Sequence, residues 1–279
     1  MLLMIVCGLL LLVAVALIVR WRGQAVVMPA WQDSGARTSI GQLLRIYLWL
    51  TYLGAVTGIL AGLLVVGPGG RLAMRLLAAT SPRAQGRITE AGEVVGDITL
   101  GGTLGFFVFV GLVGGPPFGI LYVLVHRALP RGVLGGLVYG LALLVTFGAQ
   151  QEPLRADNPD FGIVGPGWLA AAVFTLLAVV NGAFLAAAAG RLSQLLPLPG
   201  WHAFLYVPPV ALVTVPALSI VGPVGLIIVA GGILFVLAGR FPRIRDASKG
   251  REALVLRVAV ALVVLAFLPS FTSAVVDII

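Results

Sequence analysis

The chain has 279 residues, 60% of them hydrophobic and only 10% charged, and its 18 basic and 10 acidic side chains give a formal charge of +8. Soluble domains run nearer half apolar and a quarter charged, so this composition excludes a soluble fold and leaves no room for a large extramembrane domain. At about 20 residues per crossing, the apolar content supplies roughly eight transmembrane helices. The lone Cys7 cannot form a disulfide within the chain and the 37 glycines follow no triplet period, which removes the disulfide-framed and collagen-like classes. The basic residues lie in short stretches between apolar runs, where they set membrane orientation, so the lipid bilayer is the expected partner and nucleic acid is not. Lys249 is the only lysine, which together with the Ala, Gly, Val and Pro richness reads as the imprint of a GC-rich genome. The expected location is the bacterial cytoplasmic membrane, crossed several times.

The first apolar run, Leu2 to Val19, has no basic residue before it and Arg20 and Arg22 after it. Those flanks predict a retained anchor with its N-terminus outside rather than a cleaved signal peptide. The second run, Ile46 to Val66, is predicted to stop at Gly67-Pro68-Gly69-Gly70. The third, about Ile98 to Val125, carries Pro116 and Pro117 in its middle and reads as one kinked helix, because too few residues follow the prolines for another crossing.

Further spans are predicted at about Gly132 to Ala149, Trp168 to Ala189, Ala203 to Val221, Val224 to Gly239 and Leu254 to Val276. The sixth contains Pro208, Pro209 and Pro216 and meets the seventh at Gly222-Pro223, as a helical hairpin would. This topology places thirteen basic residues inside and five outside, in keeping with the excess of Lys and Arg on cytoplasmic loops. The expected fold is thus an all-α, polytopic transmembrane bundle of about eight spans with both termini outside. Residues 1–22 form an N-terminal anchor and 23–41 an inner linker. Residues 42–279 form a single helical domain with an outer amphipathic loop at 67–97.

Glycines recur at four-residue spacing: Gly54, Gly58 and Gly62; Gly101 and Gly105; Gly111, Gly115 and Gly119; Gly136 and Gly140. Residues four apart share a helix face, so each series predicts a smooth groove for a second backbone, a glycine-zipper packing.

The outer stretch from Gly67 to Thr99 is where chemistry is most concentrated. Arg71 and Arg75 are one helical turn apart among Leu72, Met74, Leu76 and Leu77, which predicts an amphipathic helix near Arg71 to Ala79 lying in the interface. Ser81 before Pro82 is a helix-start signal, and Glu90, Glu93 and Asp97 would then share one face of a second helix leading into the third span. Arg71, Arg75, Arg83, Arg87, Glu90, Glu93 and Asp97 form the candidate outer polar cluster. Their interleaving predicts mutual ion pairs that order the loop, with a polar vestibule, or a phosphate site on the Gly-rich turn, as the functional alternative. A divalent metal held with Asp157 or Asp160 is disfavoured by the adjacent arginines, so no metal is expected.

The two histidines, His126 and His202, are placed at the inner ends of the third and sixth spans. They are weak candidates for a cofactor clamp, since interfacial histidines more often face head groups; no cofactor is expected. No Asp or Glu lies clearly within a span, and Asn181 is the conspicuous mid-span polar residue. The sequence also lacks nucleotide-binding, zincin, serine-hydrolase and paired-cysteine motifs, so no catalytic residue is assigned and the chain reads as leaning away from an enzyme.

Three functions compete. The first is a non-catalytic accessory, assembly or scaffold subunit in contact with other membrane subunits. The second is a transporter or channel for a neutral or lipidic solute, with spans two to four and five to seven as inverted halves whose central helices break at Pro116-Pro117 and Pro208-Pro209. A lipid-modifying membrane enzyme comes third.

Overall fold

The computed structural model describes residues 1–21, 24–28, 39–90, 92–150, 153–155, 157–196, 222–240 and 252–279. Among them the structure is helical, with no strand and one isolated antiparallel bridge between Ile88 and Val94. In chain order the helices are α1 (Leu2–Trp21), α2 (Ile40–Ala79), α3 (Leu100–Ala128), α4 (Val133–Gly148), α5 (Gly167–Leu195), α6 (Gly222–Arg240) and α7 (Glu252–Ile278). Among the described residues, five helices (α1, α2, α3, α5 and α7) are long and apolar enough to cross a membrane, and α4 and α6 contribute shorter apolar stretches. The sixth predicted span lies outside the described residues.

Helix α2 starts on a capping box: Ser39 Oγ accepts the Gln42 N–H at 3.2 Å while Gln42 Oε1 accepts the Ser39 N–H at 3.1 Å. It then continues for 40 residues, about 60 Å at 1.5 Å per residue, which exceeds a whole bilayer with its headgroups. The predicted stop at Gly67–Gly70 is therefore corrected. These four residues are helical and buried, and Arg71–Ala79 continues the same helix rather than forming a separate one. Two features let the helix pass Pro68. The stretch Gly62–Val66 is π-helical, and the carbonyl with which the Pro68 ring would clash in an α-helix, that of Leu64, falls inside this wider turn. The flanking glycines also fit under bulky neighbours, since a Cβ on Gly70 would lie 2.7 Å from the Phe106 ring.

The same device recurs in α3. Phe107–Val113 is π-helical and the α-helix resumes at Gly115–Val125, so the carbonyls opposed to Pro116 and Pro117, those of Leu112 and Val113, again belong to the widened segment.

Helices α2 and α3 run antiparallel with their backbones in contact. A Cβ added to Gly54 would stand 2.5 Å from Ile120 Cα, one on Gly58 2.7 Å from the Gly115 carbonyl carbon, and one on Gly62 2.8 Å from Gly111 Cα. Helices α4 and α5 meet likewise, with a Cβ on Gly136 falling 2.7 Å from the Gly182 carbonyl carbon. Around these contacts sits the core of Trp49, Leu53, Ile120, Tyr139 and Phe184, joined by Ala14 of α1 and by Val224 and Ile228 of α6. Tyr139 donates from its hydroxyl to the Phe118 carbonyl at 2.6 Å and packs edge-on against Tyr122, tying α4 to α3.

Both chain ends lie on one face of the bundle, together with the two long connections 80–99 and 149–166. Met4 lines the same cavity as residues 89–98, and Gly167 is in contact with Ile278. On the opposite face Trp49 donates to the Leu196 carbonyl at 3.1 Å, and Arg257 to that of Ala128 at 3.2 Å.

Substituting Gly58 by Leu should lower the stability of the purified protein by about 1–3 kcal/mol or more, because the clash is with backbone that cannot rotate away. Gly8→Ala, which meets nothing within 4 Å, should leave the melting temperature unchanged or slightly raised. Thermal unfolding in detergent, followed by circular dichroism, compares the two.

Candidate functional site

The connection 80–99 departs from its predicted form. The 3-10 turn Pro82–Ala84 is all that follows Ser81, and the helix into α3 begins only at Leu100, where Thr99 Oγ1 accepts the Gly102 N–H at 3.0 Å. Between them the chain makes a tight antiparallel loop: Thr89 N–H donates to the Glu93 carbonyl at 2.9 Å and Val95 N–H to that of Arg87 at 2.9 Å. Gly86, Gly92 and Gly96 take φ of 80°, 77° and 91°, which only glycine adopts cheaply, and they end any helix there. Glu90, Glu93 and Asp97 accordingly do not share a helix face.

The arginines and carboxylates of the predicted cluster also find other partners. Arg71 Nη2 donates to Thr103 Oγ1 at 3.2 Å, and Arg75 Nη1 to the Gly96 carbonyl at 3.3 Å. Glu90 pairs across to the second long connection, with Arg155, and its N–H donates to Asp160 Oδ1 at 2.9 Å; Arg155 also lies 3.0 Å from Asp157. Ser81 Oγ accepts the Gly165 N–H at 2.8 Å and Thr80 Oγ1 donates to the Gly165 carbonyl at 3.1 Å. The two connections are therefore stitched together as one cap over the bundle. Arg83 and Arg87 are exposed on it and do not line the cavity below.

Under this cap lies a cavity of about 1000 Å³. Its mouth carries Arg71, Arg75, Glu90, Glu93, Asp97 and Asp160, and its body is walled by Phe106, Phe109, Phe118, Phe147, Phe174 and Leu177. Along α2 the lining runs from Ala78 down to Gly58, about 30 Å of helix rise. Asn181 lies deep in it, with an Oδ1 that is buried and has no hydrogen-bond partner. Arg71 Nε is likewise buried and unpartnered at the mouth. All three π-helical stretches of the described chain contribute walls: Gly62 and Val66, Phe109 and Val110, and Leu144, Phe147 and Gly148. Among the described residues the cavity is open on one side: Gly101, Gly105 and Phe109, all in its lining, stand four residues apart on one face of α3, the two glycines have no described neighbour within 4 Å of where a Cβ would sit, and Phe109 is 72% exposed.

On α5 the described lining ends at Leu185, and Ala186 to Gly190 are all buried. The phosphate site imagined on a Gly67–Gly70 turn is corrected, because no turn exists there; the two arginines face the cavity instead. Pro116 and Pro117 are buried beside it. His126 Nδ1 lies 2.6 Å from the Val123 carbonyl of its own helix, while His202, Pro208 and Pro209 lie outside the described residues. No group of three metal-binding side chains occurs among the described residues. The cavity itself was out of reach of sequence reasoning, although Asn181 and the glycines of α3 marked two of its walls.

Replacing Ser81 by Ala leaves the half-buried Gly165 N–H without its acceptor, a loss of about 0.5–1.5 kcal/mol. Amide exchange at Gly165 and proteolysis within 80–99 should both accelerate, while exchange in the α2 and α3 core should stay as in the unaltered protein.

Comparison with protein-family models, with curated proteins and with solved structures finds no match to this chain.

Proposed function

We propose that the protein is a non-catalytic carrier of a lipidic solute, which it receives from the outer leaflet of the membrane. The observation that carries this reading is the cavity: charged at its mouth, apolar through its body, long enough for an acyl chain, and, among the described residues, open sideways along Gly101, Gly105 and Phe109. A soluble polar solute has no use for a lining with six phenylalanines and a lateral slot. An amphiphile needs both, and pockets of this size bury a ligand's apolar part while a few polar groups fix its head. The reading includes an eight-span bundle with glycine-zipper packing and both termini outside, which turns the capped face outward; the charge asymmetry of the sequence supports that orientation.

An assembly subunit is the second reading, and α7 speaks for it. Among the described residues, none of the most apolar stretch of that helix is fully buried, which leaves sides for lipid or for another subunit. Purification with a constant set of partner chains would favour it.

Reconstituted in vesicles, the protein should move a fluorescent phospholipid between leaflets faster than protein-free vesicles, read by quenching with an impermeant reductant. Gly105→Trp should fill the slot and bring the rate to background without lowering the melting temperature. A rate equal to background in the unaltered protein, or one insensitive to Gly105→Trp, would sink the carrier reading. Orientation is tested separately in a Cys7→Ser background. An impermeant thiol reagent should label Gln85→Cys in intact cells and Ser248→Cys only after permeabilisation; the reverse order would invert the topology.

A further inference from the structure

The mouth of the cavity holds charges of both signs that do not pair with each other. Arg71 and Glu93 flank the same first turn of α3: the arginine reaches Thr103, and the Glu93 carboxylate lies against the adjacent Gly102, 3.3 Å from where its Cβ would be. Arg75 and Asp97 likewise flank Gly96, whose carbonyl takes the Arg75 hydrogen bond. All four line the cavity, and among the described residues neither couple closes to an ion pair. Opposite charges within a side chain's reach ordinarily associate unless backbone and hydroxyl contacts hold them apart, as they do here.

The order of these groups along the cavity matters more than their number. Beyond the apolar body comes Arg71, with its buried, unpartnered Nε, then Arg75 one helical turn further out. The exposed carboxylates of Glu93 and Asp97, from the loop that covers the mouth, follow. A phospholipid with an amine-bearing head presents the matching sequence of acyl chains, phosphate and ammonium. Building on the carrier reading, we infer that the mouth is a headgroup site for a zwitterionic phospholipid, its phosphate held by Arg71 and Arg75 and its ammonium by Glu93 and Asp97. Guanidinium groups suit phosphate oxygens, and the carboxylates accept from the ammonium N–H groups. An anionic lipid would satisfy the arginines but leave its uncharged or negative head against two carboxylates. A diacylglycerol would leave all four charges unmatched.

The test is lipid retention by the purified full chain in nanodiscs containing equal amounts of phosphatidylethanolamine, phosphatidylglycerol and diacylglycerol with the same acyl chains, read by native mass spectrometry. The unaltered protein should retain phosphatidylethanolamine at least about tenfold over each of the others, the discrimination expected from charge-assisted hydrogen bonds. Arg71→Gln should lower that retention about tenfold and leave diacylglycerol unchanged. Glu93→Gln with Asp97→Asn should erase the preference over phosphatidylglycerol. If Arg71→Gln melts early, the ranking in the unaltered protein and the carboxylate double variant decide. Equal retention of the three lipids, or a preference for phosphatidylglycerol, overturns the headgroup assignment while leaving the carrier reading standing. Retention of none overturns both.

Discussion

In hydrocarbon no water replaces a lost backbone hydrogen bond, and each unsatisfied amide costs several kcal/mol. The in-helix Pro269 lies exposed on α7, but the α2–α3 core of this structure depends on how Pro68, Pro116 and Pro117 are accommodated under that constraint. An ordinary α-helix would break or bend sharply at each one. Here each follows a stretch of π-helix whose wider turn contains the very carbonyls that the ring would strike. The result is long helices that keep going, α2 through Gly67–Gly70 and α3 through Gly114–Pro117. Continuity in turn lets Arg71 and Arg75 project from the end of a membrane-spanning helix toward α3 and the cap, instead of lying flat in the interface.

A widened turn also displaces side chains from the regular spacing, and the three π stretches all border the cavity. The glycine contacts work in the other direction. Where Gly54, Gly58 and Gly62 meet Gly111, Gly115 and Gly119, the two backbones touch and no space remains for a ligand between them. Toward the cap, where α3 presents Gly101 and Gly105 to no described residue, the same scarcity of side chains leaves an opening. Glycine at four-residue spacing thus has two physical outcomes in one helix, closure where a second backbone is present and a slot where it is not.

That ambiguity explains much of what the sequence could and could not convey. Helical class and apolar spans follow from composition and run length, which are local. The local termination signals mislead at Gly67–Gly70, because Gly and Pro end helices when water can take over the freed carbonyls, whereas here a π turn and close packing do so. The opposite error occurred at Ser81-Pro82, a sound helix start on local grounds, where Gly86, Gly92 and Gly96 at positive φ turn the chain into a hairpin and Ser81 Oγ serves Gly165 instead of a helix N-terminus. The partner of Glu90 could not be read from spacing along one segment, since Arg155 and Asp160 come from a different connection. Arg71 and Asn181 stood out as residues, but the cavity they share is a property of the packing alone.

Those two residues bear on why the cavity exists at all. A buried polar atom without a partner typically costs about 1–3 kcal/mol, and a helix of alanine and leucine could replace Asn181 without loss of fit. Its Oδ1 is buried and unpartnered deep in the cavity, and Arg71 Nε is in the same condition some turns above, on the facing helix. A protein built only to fill space would gain stability by losing both. Their positions, one near the floor and one at the mouth of the same apolar chamber, are those at which a guest with a polar head and a polar group along its length would restore the missing hydrogen bonds. A guest that paired with both groups would gain those hydrogen bonds on binding, which is what the proposed carrier role asks of these two positions.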